Sequence, residues 1–130
     1  MPRRGIALTT LVVRDYDEAI AFYRDKAGFS LIEDTPLGGG KRWVVMGPAP
    51  DAGALLLARA DGEAQAARVG DQTGGRVGFF LHTDDFERDF AAMTARGVTF
   101  IRPPARELYG VVAVWEDLYG NRWDLLQPAA

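Results

Sequence analysis

Few side chains in this sequence could do chemistry on a small molecule. His82 is the only histidine among 130 residues, so any imidazole base or imidazole metal ligand must be this one. It lies near the end of Arg76 to Thr83, a run that reads as a strand. It could accept a proton at the rim of a site. As a lone histidine without a paired ligand motif, it fits better as a hydrogen-bonded structural residue at a strand end. Asp124 shares one face of the last predicted strand with Arg122 and Leu126. A carboxylate there could bind a ligand cation, act as a base, or pair with Arg14, Arg42 or Arg122. Trp43, Phe80, Tyr109 and Trp115 could form an aromatic wall suited to planar or cationic molecules. Core packing is the competing role for each of them taken singly. The sequence has no cysteine, which removes disulfides, thiolate metal sites and cysteine nucleophiles together.

Other classes are excluded by bulk properties. The formal net charge is −3 and the isoelectric point about 5.1, which offers no basic face to nucleic acid. No apolar run is long enough to span a bilayer. The start, Met1-Pro2-Arg3-Arg4-Gly5-Ile6, is positively charged, but the apolar stretch after it is broken by Thr9, Thr10, Arg14 and Asp15. It does not read as a signal peptide. A cytoplasmic location is expected, and the lack of cysteine fits a reducing compartment. Gly38-Gly39-Gly40 does not stand between a strand and a helix, so it reads as a hairpin turn and not as a phosphate cradle.

The elements that must position these residues fall into two runs with the same grammar. Ile6 to Val13 is β-branched and apolar and predicts a strand. Asp15 and Glu18 have capping-box spacing, and Tyr16, Ala19, Ile20 and Tyr23 follow at helical intervals. Gly28 terminates that helix. Strands are predicted over Phe29 to Glu33, Arg42 to Met46 and Ala54 to Ala58, with Pro36 and the glycine run in a turn. Either Arg42, Val44 and Met46 or Trp43 and Val45 look inward. Asp61 to Gly75 reads as a connection with a short helical turn. The pattern then restarts with the strand Arg76 to Thr83, and a helix follows, opened by Asp84 with Glu87 and carrying Phe86, Phe90 and Met93 on one face. Gly97 stops that helix. Strands follow over Val98 to Arg102, Val111 to Glu116 and Asn121 to Gln127, with Pro103-Pro104 opening a loop. Asp15 and Asp85 align at an offset of 70 residues and Gly28 and Gly97 at 69, which points to duplication of a half-domain.

Three segments carry a resemblance to a known family. They are Leu11-Val12-Val13-Arg14-Asp15 with Ala19 to Tyr23 and Gly28-Phe29; Phe79 to Asp85 through Ala95-Arg96-Gly97-Val98; and Trp115 to Gln127, which contains Asp117-Leu118-Tyr119-Gly120-Asn121. In this order they resemble the glyoxalase/bleomycin resistance protein/dioxygenase (vicinal oxygen chelate) superfamily over nearly the whole chain. The resemblance implies an α+β fold of two βαβββ modules, as in dihydroxybiphenyl dioxygenase. Its sheets would curl around a cavity with the helices outside. A single domain over 1–130 is expected, with module one at about 5–60, the connection at about 61–75 and module two at about 76–128. Members are commonly dimers, so a homodimer is expected, with a small-molecule ligand and neither nucleic acid nor membrane as partner.

The resemblance also implies where a metal would be held. In metal-using relatives a ligand stands on each module's first strand, seven residues before the helix-opening Asp. Here those positions are Leu8 and Gly78, neither of which can ligate an ion through its side chain. The last strand of module two has Asp124 at the usual Glu position, and module one has Leu55 to Ala58. One carboxylate falls short of the roughly three protein ligands that a catalytic zinc site needs. No cofactor is therefore expected, with a divalent metal as the disfavoured alternative. The functional expectation is a bleomycin-resistance-like protein that binds a planar or amphiphilic small molecule in a metal-free cavity. The site would comprise Trp43, Phe80, Tyr109, Trp115, Arg14 and Arg122, with Tyr109 as a lid residue. The alternative is a lyase, isomerase or dioxygenase of the same superfamily that uses His82 or Asp124 as base.

Overall fold

A computed structural model describes residues 4–130, so the expectation for the N-terminus partly falls on Met1, Pro2 and Arg3, outside the described residues. The chain divides into two compact units, one running to Ala67 and the other starting at Arg68. Each holds one four-stranded sheet. The fold is α+β, built from two βαβββ modules.

In module one, β1 (Leu8–Val13) leads into α1 (Tyr16–Asp25), followed by β2 (Ser30–Gly38), β3 (Lys41–Gly47) and β4 (Ala54–Arg59). The strand order is β1-β4-β3-β2, with β1 parallel to β4 and the other pairs antiparallel. The parallel pair arises because a helix and a hairpin intervene between those strands. A short α2 (Glu63–Ala66) closes the unit. Asp15 caps α1, its carboxylate accepting the Glu18 backbone N–H at 2.8 Å. The helix buries Tyr16, Ala19, Ile20 and Tyr23 against Leu11, Val13, Val44, Met46, Leu55 and Leu57, which are also buried. These strand residues alternate with the ones on the open face, so the question left by the sequence is settled. Val44 and Met46 turn to the helix, and Trp43 and Val45 to the open face.

Module two repeats this plan with β5 (Val77–His82), α3 (Phe86–Ala95), β6 (Thr99–Glu107), β7 (Gly110–Glu116) and β8 (Arg122–Pro128), in the order β5-β8-β7-β6. Both helices stop at a glycine. Phe29 N donates to Tyr23 O at 2.8 Å after Gly28, and Val98 N to Met93 O at 3.0 Å after Gly97. Both glycines have positive φ, at 81° and 94°, the left-handed turn that ends a helix; the Val98 bond is the six-to-one bond of that motif, and the Phe29 bond spans one residue more. The helix-facing layer of module two contains Phe86, Met93, Trp115, Trp123 and Leu125.

Several local expectations are corrected. Asp85, not Asp84, caps α3, accepting the Arg88 N–H at 3.1 Å. The Asp84 carboxylate instead pairs with Arg88. Pro36 lies within β2, and Pro103 and Pro104 within β6. Both are edge strands with register shifts beside those prolines. An edge position or a bulge tolerates the missing N–H. Ile6 lies outside β1 and is exposed.

Candidate functional site

The open face of module two holds the most distinctive polar group of the molecule. Asp124 sits on β8 between Phe80 of β5 and Val114 of β7, its register partners on either side. The residue is only 8% exposed. Its carboxylate makes no hydrogen bond or ion pair among the described residues. Loss of water around it pushes its pKa above the usual carboxylate range, and the positive charge of Arg102 partly opposes that shift. The three arginines weighed as its partners are engaged elsewhere. Arg14 pairs with Glu18 at 2.7 Å, Arg42 with Asp34 at 2.7 Å and Asp17 at 3.0 Å, and Arg122 donates to Gly75 O at 3.1 Å.

Asp124 lines a pocket of about 430 Å³, together with Phe80, Ile101, Arg102, Tyr109 and Arg122. That volume suits a drug-sized molecule. Phe80 is 59% exposed and Tyr109 56%, which is unusual for aromatic side chains without an assigned contact. Tyr109 stands in the tight turn between β6 and β7, at the pocket's margin. Gly110, next to it, has φ of 144°, and a Cβ there would come within 2.1 Å of Gln127 O. Only glycine lets the hairpin approach β8 this closely.

The structure thus brings together Phe80, Tyr109, Arg122 and Asp124. The other expected site residues go elsewhere. Trp115, expected in the aromatic wall, is fully buried on the helix-facing side and stacks on Trp123 with centroids 4.9 Å apart. Strand alternation decides this, because Trp115 is one residue past Val114, Asp124's partner. His82 is exposed at the end of β5 and does not line the pocket. Trp43 lines a separate pocket in module one, and Arg14 stands on the surface at the start of α1. Sequence reasoning missed Ile101, Arg102 and Arg76. Ile101 and Arg102 fall on the strand expected over Val98 to Arg102, and Arg76 opens the one expected over Arg76 to Thr83, but which face each presents is set by strand pairing.

The positions where relatives would hold a metal offer little. Gly78 has no side chain, and a Cβ there would press on Thr73. Leu8 and Leu55 to Ala58 carry no donor. Among the described residues no group of three His, Asp or Glu side chains is placed to hold an ion. The donor set does not fit a catalytic divalent-metal site.

Comparison with known proteins decides the family. The profile of the Glyoxalase/Bleomycin resistance protein/Dioxygenase superfamily matches residues 5–125. The chain belongs to this superfamily. An uncharacterized protein of Shewanella frigidimarina is 54% identical over 127 residues, covering 96% of this chain and 94% of that one. The crystal structure of UcmS2 is similar with a TM-score of 0.82 and 29% identity, over 96% of this chain and 98% of that chain. That of TnmS3, an antibiotic binding protein from Streptomyces sp. CB03234, has a TM-score of 0.77 and 29% identity, over 99% of each chain. No described helix is long and apolar enough to cross a membrane.

Proposed function

We propose that this superfamily member binds a small, planar or amphiphilic molecule in the module-two pocket, without a metal ion. The observation that carries the reading is Asp124, a nearly buried carboxylate with no hydrogen bond among the described residues, in a pocket that it shares with Phe80 and Ile101 as well as Arg102, Glu107 and Arg122. Such a group costs stability unless something donates to it. A ligand O–H, N–H or ammonium group would meet that need. Phe80 and Tyr109 supply aromatic surface for a planar body, and Arg122 a polar margin. The poor donor set supports a site that works without a metal. TnmS3, similar over its whole length, is an antibiotic binding protein, and binding of a molecule of that general kind fits this pocket. A homodimer belongs to the same reading, and sedimentation analysis tests it.

The test is a titration of chelator-treated, metal-assayed protein with 1,4-dihydroxyanthraquinone, followed by tryptophan fluorescence. Saturable quenching by metal-free protein, weakened in Phe80→Ala, is the expected result. A stoichiometric metal that survives chelation and is required for binding would overturn the metal-free reading. The raised pKa of Asp124 favours a second reading, in which Asp124 is a general base in a lyase, isomerase or dioxygenase. That reading requires product formation, and requires it to vanish in Asp124→Asn while binding persists.

A further inference from the structure

Arg102 stands in the same row of the module-two sheet as Asp124. Counted across the strands, Phe80 of β5, Asp124 of β8, Val114 of β7 and Arg102 of β6 are successive register partners. Partners in register present their side chains on one face, and all four line the pocket. Two strand spacings, about 10 Å, separate the backbone of Asp124 from that of Arg102. Val114, which is buried, lies between them.

The two charged groups are not in contact. No ion pair joins them, and neither side chain makes a hydrogen bond among the described residues. The positive charge of Arg102 still reaches the Asp124 carboxyl and works against its upward shift. The register of β6 shifts on both sides of Arg102, and bulges of this kind re-aim a side chain on an edge strand. The charge around the row leans positive, with Arg76, Arg102 and Arg122 facing Asp124 and Glu107. Arg122 is engaged by Gly75 O, whereas the Arg102 guanidinium is exposed with its donors unused.

We infer that Arg102 and Asp124 together select the ligand by the order of its polar groups, and that the class selected is an aromatic acid with a neutral donor at its opposite end. The phenolic O–H or N–H donates to Asp124, which needs a donor because it is nearly buried. The carboxylate accepts from the fork of Arg102, which matches it through two parallel N–H groups. One or two fused rings span the apolar interval over Val114. A cationic ligand would instead meet the positive lining, and an acid without the donor would leave Asp124 unanswered. The inference rests on the small-molecule reading of this pocket, and adds to it a ligand class and Arg102 as a specificity-determining residue.

The probe is 6-hydroxy-2-naphthoate, compared by calorimetric titration with 2-naphthoate, which lacks the donor, and 6-hydroxy-2-naphthamide, which lacks the anion. Wild-type protein is expected to bind hydroxynaphthoate more tightly than either. Arg102→Gln is expected to weaken hydroxynaphthoate about tenfold or more, as for loss of a hydrogen bond to a charged group, and to change the amide far less. Arg102→Lys keeps the charge but loses the fork, so an intermediate affinity is expected. Asp124→Ala is expected to erase the advantage of hydroxynaphthoate over naphthoate while keeping the preference for acid over amide. The inference is overturned if wild-type protein fails to prefer hydroxynaphthoate, or if Arg102→Gln binds it like wild type. Titration of the same samples with 1,4-dihydroxyanthraquinone separates the two readings. Binding of the quinone without hydroxynaphthoate overturns the inference alone, and binding of neither overturns both. Arg102 is exposed, and matching thermal unfolding curves establish that each variant is folded.

Discussion

Asn121 and Asp117 hold each other across the turn that joins β7 to β8. The Asn121 backbone N–H donates to Asp117 Oδ1 and its side-chain Nδ2 to Oδ2, both at 2.9 Å. Tyr119 N also donates to Oδ1 at 2.9 Å, and both side chains are buried. Asp117→Ala leaves these donors unanswered in a buried turn, so it should cost about 3 kcal/mol. Urea unfolding measures this directly. A loss below about 1 kcal/mol would mean that water replaces the carboxylate freely.

Trp115 should matter for stability and not for binding. It stacks on Trp123 at 4.9 Å and is fully buried. Trp115→Ala is expected to cost about 3–5 kcal/mol. The milder Trp115→Phe should fold and bind 1,4-dihydroxyanthraquinone within twofold of wild type. A large affinity loss in a folded Trp115→Phe protein would return this residue to the ligand site.

Asp124 predicts an unusual pH dependence. Its folded-state pKa is raised by loss of solvent, so between the unfolded and folded values the folded protein binds more protons than the unfolded chain. Stability from this group is then fully present below the unfolded pKa and is lost as pH rises through the folded one. Asp124→Asn should be more stable than wild type at pH 7, with the advantage shrinking as pH falls towards 4. Urea midpoints across that range test it, and an advantage that grew on acidification would contradict the sign.

Gly110 should be irreplaceable. With φ at 144° and Gln127 O in the way of a Cβ at 2.1 Å, Gly110→Ala is expected to destabilise by more than about 1 kcal/mol. Since Tyr109 is its neighbour, ligand affinity should fall as well. A thermal unfolding curve and a titration that both match wild type would show that the hairpin simply shifts.

The module plan was legible because its markers are local. Asp15 caps, Tyr16 to Tyr23 and Phe86 to Met93 have helical spacing, and Gly28 and Gly97 terminate, while the cap of α3 falls at Asp85, one residue past the expected Asp84. Each of these acts within one or two turns of chain. The extent of β2 and β6 was not legible, since Pro36 and the Pro103-Pro104 pair break a strand in the interior of a sheet but not on its edge, and edge position is a property of pairing. The candidate site was half legible. Period-two alternation put Phe80, Arg122 and Asp124 on one face. Trp115 was misplaced because its face depends on β7 pairing with β8, and Arg102, at the end of the strand expected over Val98 to Arg102, was missed because its face likewise depends on β6 pairing with β7. His82 shares Phe80's face by alternation, yet it stands beyond the end of the pocket, a distance that sequence spacing does not report.

The most direct test is a calorimetric titration of 1,4-dihydroxyanthraquinone into chelator-treated wild-type protein and into Asp124→Ala. Saturable binding by the metal-free wild type, weakened about tenfold or more in Asp124→Ala, is the expected result, matching the loss of a hydrogen bond to a charged acceptor. Equal affinity in the two proteins, or heat of binding only after a divalent metal is added back, would contradict a metal-free pocket organised around Asp124.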